Sequence, residues 1–279
     1  MYYYIVNPAA GGGMINSIQD RLKATLNQLK IDGEFAKTLG PGDASKVTET
    51  ALAKGAKTIV AVGGSETVNE VIAAVHRAGH PEVAIGIVPT GKQNWLAQYL
   101  GINNWREAGE ILAARRVMEY KLMTVNDQVF IHFLNLAAHQ PEPEEAETEP
   151  SWWSKLGSRT AAAPPLSYKI EVDGAYKIRG QTDLISIHNL KFLDADLPNG
   201  LRMRLESPRG QSGLRRRLGD LTGDASSPGF SQLIATSLEL RLEQPAEAVA
   251  DGTALIDQHF RVAMTDQYLR LIAKSARAT

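Results

Sequence analysis

The residues best suited to chemistry lie on three turns, each directly after an apolar run. Asn7-Pro8 and a run of glycines follow Tyr2–Val6; Gly63-Gly64-Ser65-Glu66-Thr67-Val68-Asn69-Glu70 follows Thr58–Val62; Pro89-Thr90-Gly91-Lys92-Gln93-Asn94 follows Val83–Val88. A strand, a glycine turn and a helix start together hold phosphate on bare backbone N–H groups. Glu66 runs against that chemistry. A carboxylate about 5 Å from one phosphate charge, at an effective dielectric near 20, costs ~3 kcal/mol, roughly two decades in affinity. For the helix alone Glu66 is favourable: Ser65 is a good N-cap, and an acidic first turn complements the helix dipole by ~0.3–1 kcal/mol. Thr67-Val68-Asn69-Glu70 also fits a capping box, so the helix can start at either residue. Three arrangements stay open. Glu66 fills the anion's place, Lys92 neutralises a phosphate and offsets Glu66, or Lys92 pairs with Glu66 and closes the site.

Other candidate motifs are weaker. Gly86 to Lys92 spells GxxxxGK, but Gln93 replaces the Ser or Thr that holds Mg²⁺ and the first half is strand, so a true P-loop is not expected. No GxGxxG follows a strand, which disfavours a classical dinucleotide fold. His76, His80, His132, His139, His188 and His259 show no metal-ligand spacing, so no metal site is predicted. Asp251-Gly252 between extended segments reads most simply as a hairpin turn.

The elements that position these loops follow from periodicity. Up to about residue 115 strands alternate with helices: strands at Tyr2–Val6, Glu34–Thr38, Thr58–Val62 and Val83–Val88, and helices through Ile15 to Leu29, over Asp43–Lys54, about 66–78, 93–100 and 104–115. Asp43 is the expected N-cap of the second helix. This pattern predicts a doubly wound, mostly parallel sheet with ligands beyond the strands' C-terminal ends. Beyond it lie extended segments at Val117–Val125, Gln128–Ala137, Tyr168–Val172, Tyr176–Arg179, Thr182–His188, Leu201–Leu205, Ser237–Leu242 and Phe260–Ala273, with turn signals at Asn126-Asp127 and Asp173-Gly174. The expected organisation is an α/β domain over 1–120 and a mainly antiparallel β domain over 121–279, with an acidic, proline-rich loop at about 140–165.

Composition bounds the partners. The 279 residues carry a formal net charge of -1, which argues for no nucleic-acid partner. With no cysteine there is no disulfide and no thiolate chemistry, in keeping with a reducing, cytoplasmic compartment. The stretch MYYYIVNPAAGGG lacks a basic n-region and a long apolar core, so no signal peptide is expected, and no run is long enough to span a membrane. Two patches suit a membrane surface: Ser151-Trp152-Trp153-Ser154-Lys155, and Arg215-Arg216-Arg217 between leucines. Each is equally an ordinary feature, a tryptophan-covered seam and an exposed basic loop.

Taken together, the three loops resemble the diacylglycerol kinase family of lipid kinases, whose bacterial and sphingosine-kinase-like members share an α/β catalytic domain with NAD kinases. The second loop resembles the family's GGDGT and NE pair, the third its PxGTxND, Thr38 to Ala44 its strand end before a GDA helix start, and Asp251-Gly252-Thr253 its DGE. The resemblance implies ATP phosphates on Gly63, Gly64 and Thr67, near Asn7, Thr38, Ser65, Glu66, Asn69, Gly91 and Lys92. It further implies Mg²⁺ bridging those phosphates, a lipid hydroxyl as acceptor, and Asp251 as general base or hydroxyl partner. The departures fall on the chemistry: Ser65 replaces Asp, Glu66 Gly, Lys92 Thr, Trp95 Asp and Thr253 Glu. Asn199 stands where the family's structural metal site has Asp. A lipid kinase, a catalytically inactive lipid- or partner-binding protein, and a kinase for a soluble hydroxyl compound all stay open.

Overall fold

The computed structural model describes residues 1–137, 165–193, 197–206 and 230–274. The acidic loop, the tryptophan pair and the arginine run lie outside the described residues. The chain forms two compact units: one of Met1–Leu122 with Thr265–Thr279, the other of Met123–Met264. The expected boundary at 120/121 differs at the C-terminus, where the last segment returns to the first unit. It does so because Arg270 and Leu271 pair in parallel with Ala84 and Ile85.

The first unit contains β1 (Tyr2–Val6), α1 (Met14–Gln28), β2 (Gly33–Lys37), α2 (Asp43–Ala53), β3 (Thr58–Gly63), α3 (Ser65–Arg77), β4 (Ala84–Pro89), α4 (Trp95–Tyr99) and α5 (Trp105–Ala114). It also holds most of β5 (Val117–Val125). Strands β2, β1, β3 and β4 lie side by side and all parallel. β1, β3 and β4 are buried along their whole length, so they read as apolar runs rather than alternating ones. Helix α1 buries Ile15, Ile18, Leu22 and Leu26, and α3 buries Val68, Val71, Ile72 and Val75, each at helical spacing. α1 packs with α5 and α2 with α3. The sheet holds the turns that follow β1, β3 and β4 at one end, as parallel pairing of consecutive βα units requires.

The second unit is antiparallel. Its strands are β6 (Gln128–Phe130), β7 (Phe133–Ala137), β8 (Leu166–Val172), β9 (Tyr176–Thr182), β10 (Leu184–Asn189), β11 (Leu201–Glu206), β12 (Phe230–Ala235) and β13 (Ser237–Ala250), with the first part of β14 (Thr253–Ile272). The order across the sheet is β12-β11-β10-β7-β13-β14, with β8 and β9 added along β13. Leu134, Leu136, Ile185, Ile187, Leu201, Met203, Leu238 and Leu240 build its core. Asn126-Asp127, Asp173-Gly174 and Asp251-Gly252 all have positive φ at both positions, the two-residue turn that matches strand twist. β13 and β14 outrun the sequence reading most, because they form one long hairpin on Asp251-Gly252, and β12 was not anticipated. The expected strand Gln128–Ala137 is instead broken at Ile131-His132. There the N–H groups of Ile131, His132 and Phe133 are taken by the Asp251 carboxylate.

Candidate functional site

The turns after β1, β3 and β4, together with residues 38–44, enclose a cavity of ≈ 590 Å³ in the first unit. Backbone lies against backbone there. A Cβ on Gly91 would stand 2.3 Å from the Gly64 Cα, and one on Gly11, whose φ is +58°, would stand 2.1 Å from the Thr90 carbonyl oxygen. Only glycine fits these approaches.

Side chains then fasten the turns. Asn7 donates from Nδ2 to the Thr67 hydroxyl at 3.0 Å and accepts the Ala9 N–H through Oδ1. Asn94 closes the third turn on Gly91 in both directions. The Gln93 carbonyl accepts the backbone N–H of Ser65 at 3.0 Å and its hydroxyl at 3.1 Å. Glu70, one turn along α3, accepts the N–H groups of Gly42 at 2.8 Å and Ala44 at 3.0 Å. It thereby caps the start of α2.

These contacts correct three expectations. The N-cap of α3 is Gly64, and Ser65 is its first helical residue, because the Ser65 hydroxyl is drawn to the third turn. The capping box is not formed, since Thr67 serves Asn7 and Glu70 serves α2. Asp43 is the first residue of α2 rather than its cap; the cap is Gly42, and Asp43 accepts the Leu39 N–H.

Glu66 and Lys92 both line the cavity and both are exposed. They form no ion pair with each other, and neither carries a hydrogen bond among the described residues. The Glu66 carboxylate therefore does not fold back onto its own helix. The backbone N–H groups of Glu66 and Thr67, second and third in α3, also meet no acceptor among the described residues. Free N–H groups at the positive end of a helix are an anion site. Thr38 and Leu39 close the cavity from the β2 side, Thr38 being 4% exposed and Leu39 95% exposed.

Of the residues singled out in the sequence, Asn7, Thr38, Gly64, Ser65, Glu66, Thr67, Gly91 and Lys92 line this cavity. Gly63 sits behind it at the end of β3, its carbonyl accepting the Thr90 N–H, and Asn69 lies further along α3. The sequence reading missed Gly11 and Gly12 as lining residues and Glu70 as the clamp. A clue to the clamp is Gly42, an N-cap with no side chain of its own to accept the first N–H groups of α2.

Asp251 belongs to the second unit. It is 2% exposed, and its carboxylate accepts the N–H groups of Ile131, His132 and Phe133 at 2.6–3.1 Å. Burial pushes its pKa up to about 7, against the opposing pull of those three N–H groups. Burial likewise holds His132 down at about 3, helped by His188. No group of three or more His, Cys, Asp or Glu among the described residues is arranged to hold a metal, and Asn199 is exposed. Among the described residues no helix is long and apolar enough to cross a membrane.

Residues 1–125 match the diacylglycerol kinase catalytic domain. The protein named "Probable lipid kinase YegS-like" of Klebsiella pneumoniae (strain 342) is 31% identical over 193 residues, covering 68% of this chain and 56% of its own. Its namesake in Pseudomonas aeruginosa (strain UCBPP-PA14) is 36% identical over 148 residues, 53% of this chain and 43% of its own. The chain thus spans about half the length of the curated relatives it matches. Among solved structures, a diacylglycerol kinase from Bacillus anthracis str. Sterne superposes with TM-score 0.74 at 20% identity, over 99% of this chain and 97% of that one. An NAD kinase from Archaeoglobus fulgidus in complex with ATP superposes with TM-score 0.58 at 14% identity, over 99% and 94%.

Proposed function

The chain belongs to the diacylglycerol kinase family of bacterial lipid kinases, and on that premise we propose that it transfers the γ-phosphoryl group of ATP to a lipid hydroxyl. The observation that carries this reading is the pair of open N–H groups of Glu66 and Thr67 at the start of α3, inside a cavity built on glycine contacts. They receive the phosphates, and the exposed Lys92 ammonium supplies positive charge from the facing turn. Catalysis of this kind rests on positioning and charge neutralisation.

Glu66 is the free carboxylate of the cavity, since Glu70 is committed to α2. Mg²⁺ is commonly held by one or two carboxylates together with substrate phosphates, so the donor set fits Glu66 as one protein ligand. A bound Mg²⁺ would neutralise charge developing on the phosphates. Glu66 would then favour the metal-bound nucleotide and repel the bare one. By the family resemblance Asp251 is the general base or partner of the acceptor hydroxyl, whose proton leaves as its oxygen takes the phosphoryl group, giving ADP and a phosphomonoester. A pKa near 7 suits a general base at neutral pH.

The test is calorimetry with MgATP, followed by phosphorylation of a lipid extract by the wild type and by Asp251→Asn. Saturable MgATP binding and turnover lost in Asp251→Asn would support the reading. No binding at millimolar MgATP would overturn it and leave a lipid- or partner-binding protein on the same fold.

A further inference from the structure

A second cavity of the first unit, of ≈ 500 Å³, opens between α1 and α5. It shares no lining residue with the cavity at the start of α3. Its walls include Arg21, Ala24 and Leu29 from the α1 side and Trp105, Arg106 and Glu110 from α5. Arg21 and Ala24 stand at i, i+3 and Arg106 and Glu110 at i, i+4, so each pair shares a face of its helix. Asn104 fixes the start of α5, where its side chain accepts the N–H groups of Arg106 at 3.0 Å and Glu107 at 3.1 Å. The backbone donors there are thus taken, and the groove is left to side chains.

Three donor groups on its walls have no acceptor. Trp105 is 9% exposed, yet its indole N–H meets no acceptor among the described residues and is not sealed from solvent. A buried indole N–H ordinarily finds a partner. The guanidiniums of Arg21 and Arg106 stand 5.9 and 4.7 Å from the centre of that indole ring. Neither guanidinium makes a hydrogen bond or an ion pair among the described residues. Glu110 is the one acid on these walls, and it pairs with neither arginine. Indole and guanidinium groups donate and cannot accept. The groove therefore sets two positive charges and an idle buried N–H against one carboxylate, and an anion rich in acceptor oxygens completes it.

We infer that this groove binds the phosphate group of a small phosphomonoester, with Arg21, Arg106 and the Trp105 indole N–H on its oxygens. One guanidinium fork already fills the oxygens of a carboxylate. Two forks and an indole N–H call for the three terminal oxygens of a phosphate group. The volume lies within the range of small-molecule sites, about 300–1,000 Å³, so the organic part of the ligand has room along Ala24 and Leu29. The inference rests on α1 and α5 alone and stands or falls apart from the ATP reading.

The experiment titrates the full chain with glycerol 3-phosphate, and with glycerol as the control, by calorimetry and by the indole N–H resonances in NMR. The Trp105 resonance is assigned with Trp105→Phe or, should that variant not fold, by its shift in Arg106→Gln. Arg21→Gln, Arg106→Gln and Glu110→Gln are compared with the wild type; all three residues are exposed, so each variant should fold. Glycerol 3-phosphate is expected to bind and to move the Trp105 resonance. Its affinity should fall about tenfold or more in each arginine variant, the worth of one hydrogen bond to a charged group, and rise in Glu110→Gln. A phosphate held at the start of α3 does not feel these substitutions, so the differences belong to the groove. No binding at millimolar glycerol 3-phosphate, equal binding of glycerol, or an unmoved Trp105 resonance overturns the inference. So does an affinity held within about twofold in either arginine variant.

Discussion

Ser65 gives both its backbone N–H and its hydroxyl to the carbonyl oxygen of Gln93, at 3.0 and 3.1 Å. This joins the start of α3 to the turn after β4. The residue that replaces the family's Asp has therefore become a tie between two loops. Ser65→Asp puts an acceptor against an acceptor, in a position 9% exposed. It should lower stability by about 1–3 kcal/mol, read as an earlier urea midpoint, while Ser65→Ala should cost about 1 kcal/mol.

Glu70 does for the turn before α2 what Ser65 does for the turn after β4. Glu70→Ala leaves the Gly42 and Ala44 N–H groups without their acceptor. The expected loss is about 1–2 kcal/mol, the usual worth of a helix cap. Amide exchange at Gly42 and Ala44 should quicken first, before any change in the amides of β3.

The second unit carries two buried groups whose effects on stability have opposite pH dependence. His188 is held at about 4, below its ordinary value, so its stabilisation is complete above about 6.5 and is lost as pH falls toward 4. Asp251 is pushed up to about 7, so its contribution is complete below about 4 and is lost as pH rises through 7. Urea midpoints measured from pH 4 to 8 should show it. Relative to His188→Gln, the wild type should gain up to about 1.4 kcal/mol per pH unit between 4 and 6.5. Relative to Asp251→Asn it should lose stability over 4 to 7. Parallel curves would contradict both assignments.

Much of the first unit was legible because its signals are local. Buried parallel strands read as apolar runs, α1 and α3 show 3.6-residue spacing, and glycines mark the turns. The cap assignments failed because the true partners lie far along the chain: Gln93 for Ser65 and Glu70 for Gly42, each 28 residues away. The break in Gln128–Ala137 was hidden for the same reason, since Asp251 reaches Ile131 across 120 residues. Asp251 itself read as a turn residue, which it is; its buried carboxylate depends on pairing that no local pattern records. That Asn135 of β7, Ser186 of β10 and Arg204 of β11 stand in one polar row is likewise a product of register between strands.

We propose that the start of α3 holds ATP phosphates and that Glu66 would hold Mg²⁺ bound with them. Calorimetry of wild type and Glu66→Gln, with ATP in excess EDTA and with MgATP, tests it most directly. Removing the charge should strengthen binding of bare ATP by up to about a hundredfold, the ~3 kcal/mol of repulsion at about 5 Å, and should weaken binding of MgATP. Equal affinities for the two proteins under both conditions, or MgATP binding strengthened in Glu66→Gln, would contradict it.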